Sequence, residues 1–200
     1  MSAATVPYAE LAVTTNFSFL RGGSHPEELV LQAKELGLAG IAVADRNSVA
    51  GVVRGHLEAK KADYSYKVGA RLGFRDGTPD ILAWPTDREA WGRLCRLLTE
   101  GNRRAPKGEC HLDRGDLLIW GKGILLGVMP PARPDETLAG CLEMLRETFR
   151  DGVWLMANRL HGASDASPIL PASPVVPAFR CLPPTTSSTI RPTAGRCRTC

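Results

Sequence analysis

Three polar residues, Asp45-Arg46-Asn47, follow directly on the apolar run Gly40–Ala44. A run of that kind reads as a strand covered on both faces. Its carboxyl end is the edge where open α/β sheets and β/α barrels hold ligands. Asp45 and Arg46 can orient a bound group there. More simply, they form a local ion pair and cap the following helix. Arg71 lies in the next apolar run and offers a guanidinium to a phosphate or a partner to Asp45; the pairing is the favoured reading. The end of the first strand, Ala12-Val13-Thr14-Thr15-Asn16, carries no titratable side chain.

The remaining reactive residues are scattered. His25, His56, His111 and His161 form no His-x-His or His-x₃-His pair, so none is expected to ligate a metal. Cys95, Cys110 and Cys141 stand singly and read as small apolar core residues. Cys197-x-x-Cys200 has metal or redox spacing but lacks a second pair. The basic run Arg103-Arg104-Ala105-Pro106-Lys107 can touch a nucleic-acid backbone, although a solvated loop is the plainer reading. The chain shows no Gly-rich phosphate loop and no nucleophile elbow.

The elements that must position these residues alternate. Tyr8–Thr15 reads as a first strand, and Phe17, Phe19 and Leu20 follow in a loop expected to pack inward. Ser24 and Glu27 have capping-box spacing, with Pro26 in the first turn of a helix bearing Leu29, Val30, Ala33 and Leu36. Gly37 closes that helix ahead of the strand Gly40–Ala44. A second helix is expected from Asn47 or Ser48 to about Lys61, with Val49, Val52, Val53 and Leu57 as its apolar stripe. Strands follow at Lys67–Phe74 and Ile81–Trp84, joined across an Asp76-Gly77 turn. Then come a strong amphipathic helix from Arg88 to Glu100 and a short one over Asp113–Ile119. The strand Ile124–Val128, a linker at Pro130–Pro134, a helix over Asp135–Phe149 and a strand over Val153–Ala157 complete the order. The pattern β-α-β-α-β-β-α-α-β-α-β predicts an α/β fold with a mainly parallel sheet or barrel.

Composition bounds the function classes. Two hundred residues make one domain, or one domain and a tail. No apolar run approaches the ~18 residues of a membrane span, and Met1–Glu10 has no secretory pattern, so no membrane partner and a cytoplasmic location are expected. A net charge of +4 is too mild for a dedicated nucleic-acid binder. From about Ser164 the chain is rich in Pro, Ser and Thr without a helical or alternating period, which predicts a disordered tail over 164–200 beside a folded unit over 1–163.

Several blocks in register resemble a known family. They are Tyr8-Ala9-Glu10-Leu11, Asn16-Phe17-Ser18-Phe19-Leu20, Ser24-His25-Pro26-Glu27-Glu28-Leu29 and Asp45 through Val53. Val68-Gly69-Ala70-Arg71, Arg93 through Thr99 and Lys107 through Leu112 also match. The sequence resembles the PHP (polymerase and histidinol phosphatase) domain, in the form found at the N-terminus of bacterial error-prone DNA polymerases, relatives of the C-family replicative α subunit. The resemblance covers roughly Tyr8 to His161. It implies a distorted (β/α) barrel whose active members hold up to three metals at the carboxyl edge and hydrolyse phosphoesters with activated water.

Residue by residue, the resemblance implies a degenerate metal site. The family's His-x-His falls on Ala12 and Thr14, its Asp-His on Asp45-Arg46 and its third-strand Glu on Arg71; Asp45 alone is retained. An Arg repels a cation instead of ligating it. The expectation is therefore a barrel without catalytic residues, metals or other cofactors, in which Arg46 and Arg71 neutralise the remaining carboxylates. DNA and other translesion-synthesis proteins are the partners implied for a parent polymerase, whose palm lies outside this chain. The rivals are a stand-alone PHP phosphoesterase and a small DNA- or protein-binding module using Arg103, Arg104 and Lys107.

The tail adds one inference. Plausible GC-rich codons for Ala172–Cys200, read one frame over, can encode the family's next helix and strand with its Asn-Asp-Val motif. The expectation is a reading-frame shift near Ser164–Pro171, leaving the barrel incomplete at its C-terminal side with exposed edges.

Overall fold

The computed structural model describes residues 8–131, 136–156 and 181–182. Alternation along the strands decides the architecture. In β2 (Gly40–Arg46), Ile41 and Val43 face outward with Val13, Val30, Ala33 and Ala59, while Ala42 and Ala44 face inward with Leu82, Trp84 and Met156. A strand with small residues on one side and branched ones on the other suits a barrel wall. The order is β1 (Ala9–Val13), α1 (Pro26–Glu35), β2, α2 (Val52–Lys61), β3 (Tyr66–Leu72), β4 (Ile81–Pro85), α3 (Arg88–Arg103), α4 (Arg114–Trp120), β5 (Ile124–Val128), α5 (Glu136–Phe149), a 3₁₀ turn over Arg150–Gly152, β6 (Val153–Met156) and β7 (Cys181–Leu182). Through β6 this is the alternation read from the sequence. The two residues of β7 come from the expected tail, the rest of which lies outside the described residues, as do His161 and Cys197-x-x-Cys200. Most of the Pro130–Pro134 linker lies outside them too.

The strands pair in chain order, from β1 through to β7, as a curled, incomplete barrel. Strands β1, β2 and β3 are parallel, as are β5, β6 and β7. β4 is antiparallel to both its neighbours, so the sheet is more mixed than expected. The Asp76-Gly77 turn explains the first reversal. The short link between β3 and β4 has no room for a crossover helix, and Gly77 adopts φ +83 within it.

The curl has an internal strut. Trp84 on β4 points inward, and its Nε1 donates to Leu11 O on β1 at 3.1 Å. The indole fits because β3 and β5 place glycines beneath it. A Cβ at Gly69 would lie 2.6 Å from Trp84 Cδ1, and one at Gly127 2.9 Å from its ring. The larger outer core lies between β3–β6 and helices α3, α4 and α5, built on Leu94, Leu97, Leu126, Leu142 and Leu145. Cys141 is buried there, and burial pushes the thiols of Cys95, Cys110 and Cys141 upward, which suits packing residues.

Four local expectations are corrected. The cap of α1 is His25, one residue beyond Ser24: Glu28 accepts from the His25 backbone N–H at 2.8 Å, and Pro26 occupies N1. Helix α2 starts at Val52, after a turn in which Asn47 takes φ +47. Its buried face is Val52, Gly55 and Ala59, while Val53 and Leu57 are 65% and 53% exposed. The cause is Tyr66, whose ring lies so close to Gly55 that the helix presents its small residues to the sheet. Last, the loop does not pack inward: Phe19 and Leu20 are 85% and 89% exposed, and Phe17, with one ring edge against Gly51, is still 38% exposed. Among the described residues, no helix is long and apolar enough to cross a membrane.

Candidate functional site

The carboxyl edge of β2 and β3 carries the polar residues singled out in the sequence, and the pleat divides them between two faces. Asp45 continues the outward series of Ile41 and Val43. Arg46 continues the inward series of Ala42 and Ala44. Arg46 is paired in register with Arg71 on β3, so both guanidiniums enter the barrel mouth from adjacent strands. Asp80 immediately precedes β4 and belongs to the inward series of Leu82 and Trp84.

These three side chains converge. Arg46 Nη1 donates to Asp80 Oδ2 at 2.6 Å. Arg71 Nε and Nη2 reach the same oxygen at 2.8 and 2.7 Å. All three side chains are part-buried, with 34%, 28% and 21% exposure for Arg46, Arg71 and Asp80. Arg46 Nη2 lies on Gly73, where any Cβ would displace it. Asn47 secures the same loop, donating to Gly73 O at 3.2 Å and accepting from Gly73 N at 2.8 Å.

Asp45 is 1% exposed and has a separate environment. Its Oδ1 accepts from Thr15 N at 2.8 Å and Ser18 Oγ at 2.7 Å; its Oδ2 accepts from Thr15 Oγ1 at 2.7 Å. Ser18 Oγ in turn accepts from Arg46 N at 2.9 Å. Asp45 therefore clamps the loop after β1. It pairs with neither Arg46 nor Arg71 and does not cap α2. The favoured Asp45–Arg71 pairing fails because the two side chains leave opposite faces of the sheet.

The other candidate positions do not join this site. Ala12 packs with the inner apolar cluster, and Thr14 is part-buried beyond the end of β1. Arg104 donates to both oxygens of Asp116 at 2.7 and 2.9 Å, tying α3 to α4. Arg103 lies 3.9 Å from Glu100. Lys107 is exposed in the loop that follows. His111 pairs with Glu109, and His56 is exposed on α2. Among the described residues, no three His, Cys, Asp or Glu side chains are grouped to hold a metal ion.

Sequence reasoning missed Asp80. It stood in a turn and drew no attention. The signal was present: with Leu82 and Trp84 on one face of β4, a two-residue step backward puts Asp80 on that face too. It also missed Glu10, whose side chain is buried on edge strand β1 with Oε1 unpartnered. Burial raises its carboxyl pKa to about 7, against weaker lowering by hydrogen bonds from Ala12 N and Tyr8.

Comparison with known proteins agrees with this geometry. The PHP domain family matches residues 10–148. Over 153 residues the chain is 52% identical to an error-prone DNA polymerase of Rhodopseudomonas palustris, covering 74% of this chain and 14% of that protein. It is 54% identical over 157 residues to error-prone DNA polymerase 1 of Rhizobium meliloti, covering 78% and 14%. The chain thus spans about one seventh of the length of these curated relatives. Among solved structures, an amidohydrolase from Chromobacterium violaceum with bound sulfate and no metal shares the fold, with a TM-score of 0.53 at 14% identity over 74% of this chain and 76% of that one. The incomplete barrel, the register of its mouth and the match over residues 10–148 together assign this chain to the PHP domain family.

Proposed function

We propose that this chain is a metal-free PHP scaffold, the N-terminal part of an error-prone DNA polymerase that acts in damage-tolerant synthesis. The convergence of Arg46 and Arg71 on Asp80 Oδ2 carries the reading. The family's metals would require anionic or neutral donors at this mouth. Here two permanent cations enter it, and its carboxylate already accepts three N–H bonds on one oxygen. Asp45 faces the other way with both oxygens engaged. The donor set does not fit a divalent cation, and no hydrolytic step is derived from one.

In this reading the Arg–Asp–Arg cluster does for the barrel what metal ligation does in active relatives. It ties the ends of β2, β3 and β4 together by charge. Nucleotidyl transfer belongs to the parent polymerase outside the matched segment, and the tail beyond about Ser164 is an out-of-frame continuation. The similarity to error-prone polymerases supports the parentage.

Metal analysis of the purified chain, with a phosphoesterase assay in added zinc or manganese, tests the proposal. The expected result is no stoichiometric metal and no turnover. One equivalent of tightly held metal defeats the reading. Resequencing across the codons for residues 164–200 and the bases beyond tests the tail: DNA that encodes no family-like helix and strand in a neighbouring frame removes that part.

A further inference from the structure

The end of the sheet opposite the mouth is not the plain floor of a parallel barrel. Because β4 runs against its neighbours, its carboxyl end meets the start of β5 there, with Pro85 in register with Ile124. A cleft of about 440 Å³ opens at this end, between the α4–β5 link and the turn that follows α5. Its volume falls within the ~300–1,000 Å³ of small-molecule sites. Leu118, Leu125 and Phe149 form its apolar walls, and Leu118 and Leu125 stay 37% and 36% exposed.

The walls are set by contacts within the chain. Gly123 takes φ +74, and its carbonyl accepts from Thr86 N at 3.1 Å and Thr86 Oγ1 at 2.8 Å. Arg93 Nε donates to the neighbouring Lys122 O at 2.6 Å. Phe149 is seated on the same link: a Cβ at Gly121 would lie 2.7 Å from its Cζ. Gly152 leaves the floor open, since a Cβ there would meet only Ile124 O, at 3.7 Å. The cleft is thus preorganised.

Its rim is cationic. Lys122 and Arg150 are both exposed, and among the described residues neither side chain has a partner. Arg150 follows α5 with φ +50, a left-handed position where glycine is the usual residue. The carboxyl end of α5 favours a cation there but leaves its N–H donors unused. Thr86 and Thr148 each give their hydroxyl proton to a carbonyl, so the side-chain donors facing the cleft are the two cations. The carboxylates at the start of α3 are engaged: Asp87 accepts from Ala90 N at 2.7 Å, and Glu89 lies 3.7 Å from Arg93.

We infer that this cleft binds a small amphipathic carboxylate, its apolar body against Leu118, Leu125 and Phe149 and its head on Lys122 and Arg150. The walls select for length of the body, and the rim selects for negative charge. The site stands at the other edge of the sheet from Arg46, Arg71 and Asp80, so it does not depend on how that mouth is filled.

The test is an amide-NMR titration of the full 200-residue chain with octanoate, set beside acetate and 1-octanol at constant pH and ionic strength. The expected result is saturable shifts with octanoate at Lys122, Gly123, Leu125, Phe149 and Gly152. Acetate lacks the body and 1-octanol the charge, and each should bind about tenfold more weakly or worse. Lys122→Gln and Arg150→Gln should each weaken octanoate by about two- to fivefold and leave 1-octanol unchanged. Both residues are exposed, so these variants keep the packing. Gly152→Leu fills the floor and should abolish binding while the chain keeps its cooperative melting. Acetate or 1-octanol binding as tightly as octanoate overturns the inference. So do shifts centred on the exposed Phe19 and Leu20, or octanoate binding that neither Gln variant weakens.

Discussion

Asp45 and Asp80 stand at the same edge of the sheet and are held in opposite ways. Asp45 is enclosed, and its three bonds come from hydroxyls and a backbone amide of the loop after β1. Asp80 is part-exposed, and its bonds come from two guanidiniums, Arg71 on the adjacent β3 and Arg46 one strand further on β2. The first carboxylate organises a loop without help from a cation; the second is the minority charge in a cationic mouth. Which role each takes is a matter of pleat. One residue of offset along β2 separates the outward Asp45 from the inward Arg46, and that offset decides which chemistry each can join.

The difference predicts unequal costs. Asp45→Ala removes the only acceptor from three buried or part-buried donors, so it should destabilise the chain by about 3–5 kcal/mol in urea unfolding. Asp80→Ala frees two part-exposed guanidiniums that water can reach, and should cost only about 1 kcal/mol. Equal costs would break the comparison.

The strut gives the next effect. Trp84→Phe keeps most of the inner packing but removes the bond from Nε1 to Leu11 O, leaving that carbonyl short of a donor. The expected loss is about 1–2 kcal/mol, with increased hydrogen exchange along β1. An unchanged β1 would mean that Trp84 fills space without joining β4 to β1.

A pH dependence sharpens the contrast with a third carboxylate. Burial raises Glu10 to about 7 from an ordinary 4.5. The folded chain therefore holds a proton that the unfolded chain releases. Stability from this group falls as pH rises from about 4.5 to about 7, and levels off above. Glu10→Gln should flatten that slope and raise the melting temperature more at pH 8 than at pH 5. A variant with the parent's slope would assign the pH dependence to another group.

Much of this was legible from residues alone. The helix and strand order followed from apolar period, and the Asp76-Gly77 turn marked the β3–β4 hairpin. Val53 and Leu57 were misread because hydropathy alone ranks them above Gly55, whereas the Tyr66 ring selects the face that can approach it most closely. Phe19 and Leu20 were misread for a related reason. The loop's backbone is set by Asp45 and by bonds such as Arg21 N to Ser18 O, and those constraints aim the two side chains outward whatever their hydropathy.

The sequence by itself determined the elements, their order and the identity of the charged residues at the sheet edge, because period and local turn chemistry act over a few neighbours. Only the tertiary structure decided which of those charges meet. Arg71 could have paired with Asp45 or Asp80 on charge alone. Strand register and the alternation of faces send Arg46, Arg71 and Asp80 into the mouth and turn Asp45 away, and both depend on pairing between segments distant in the chain.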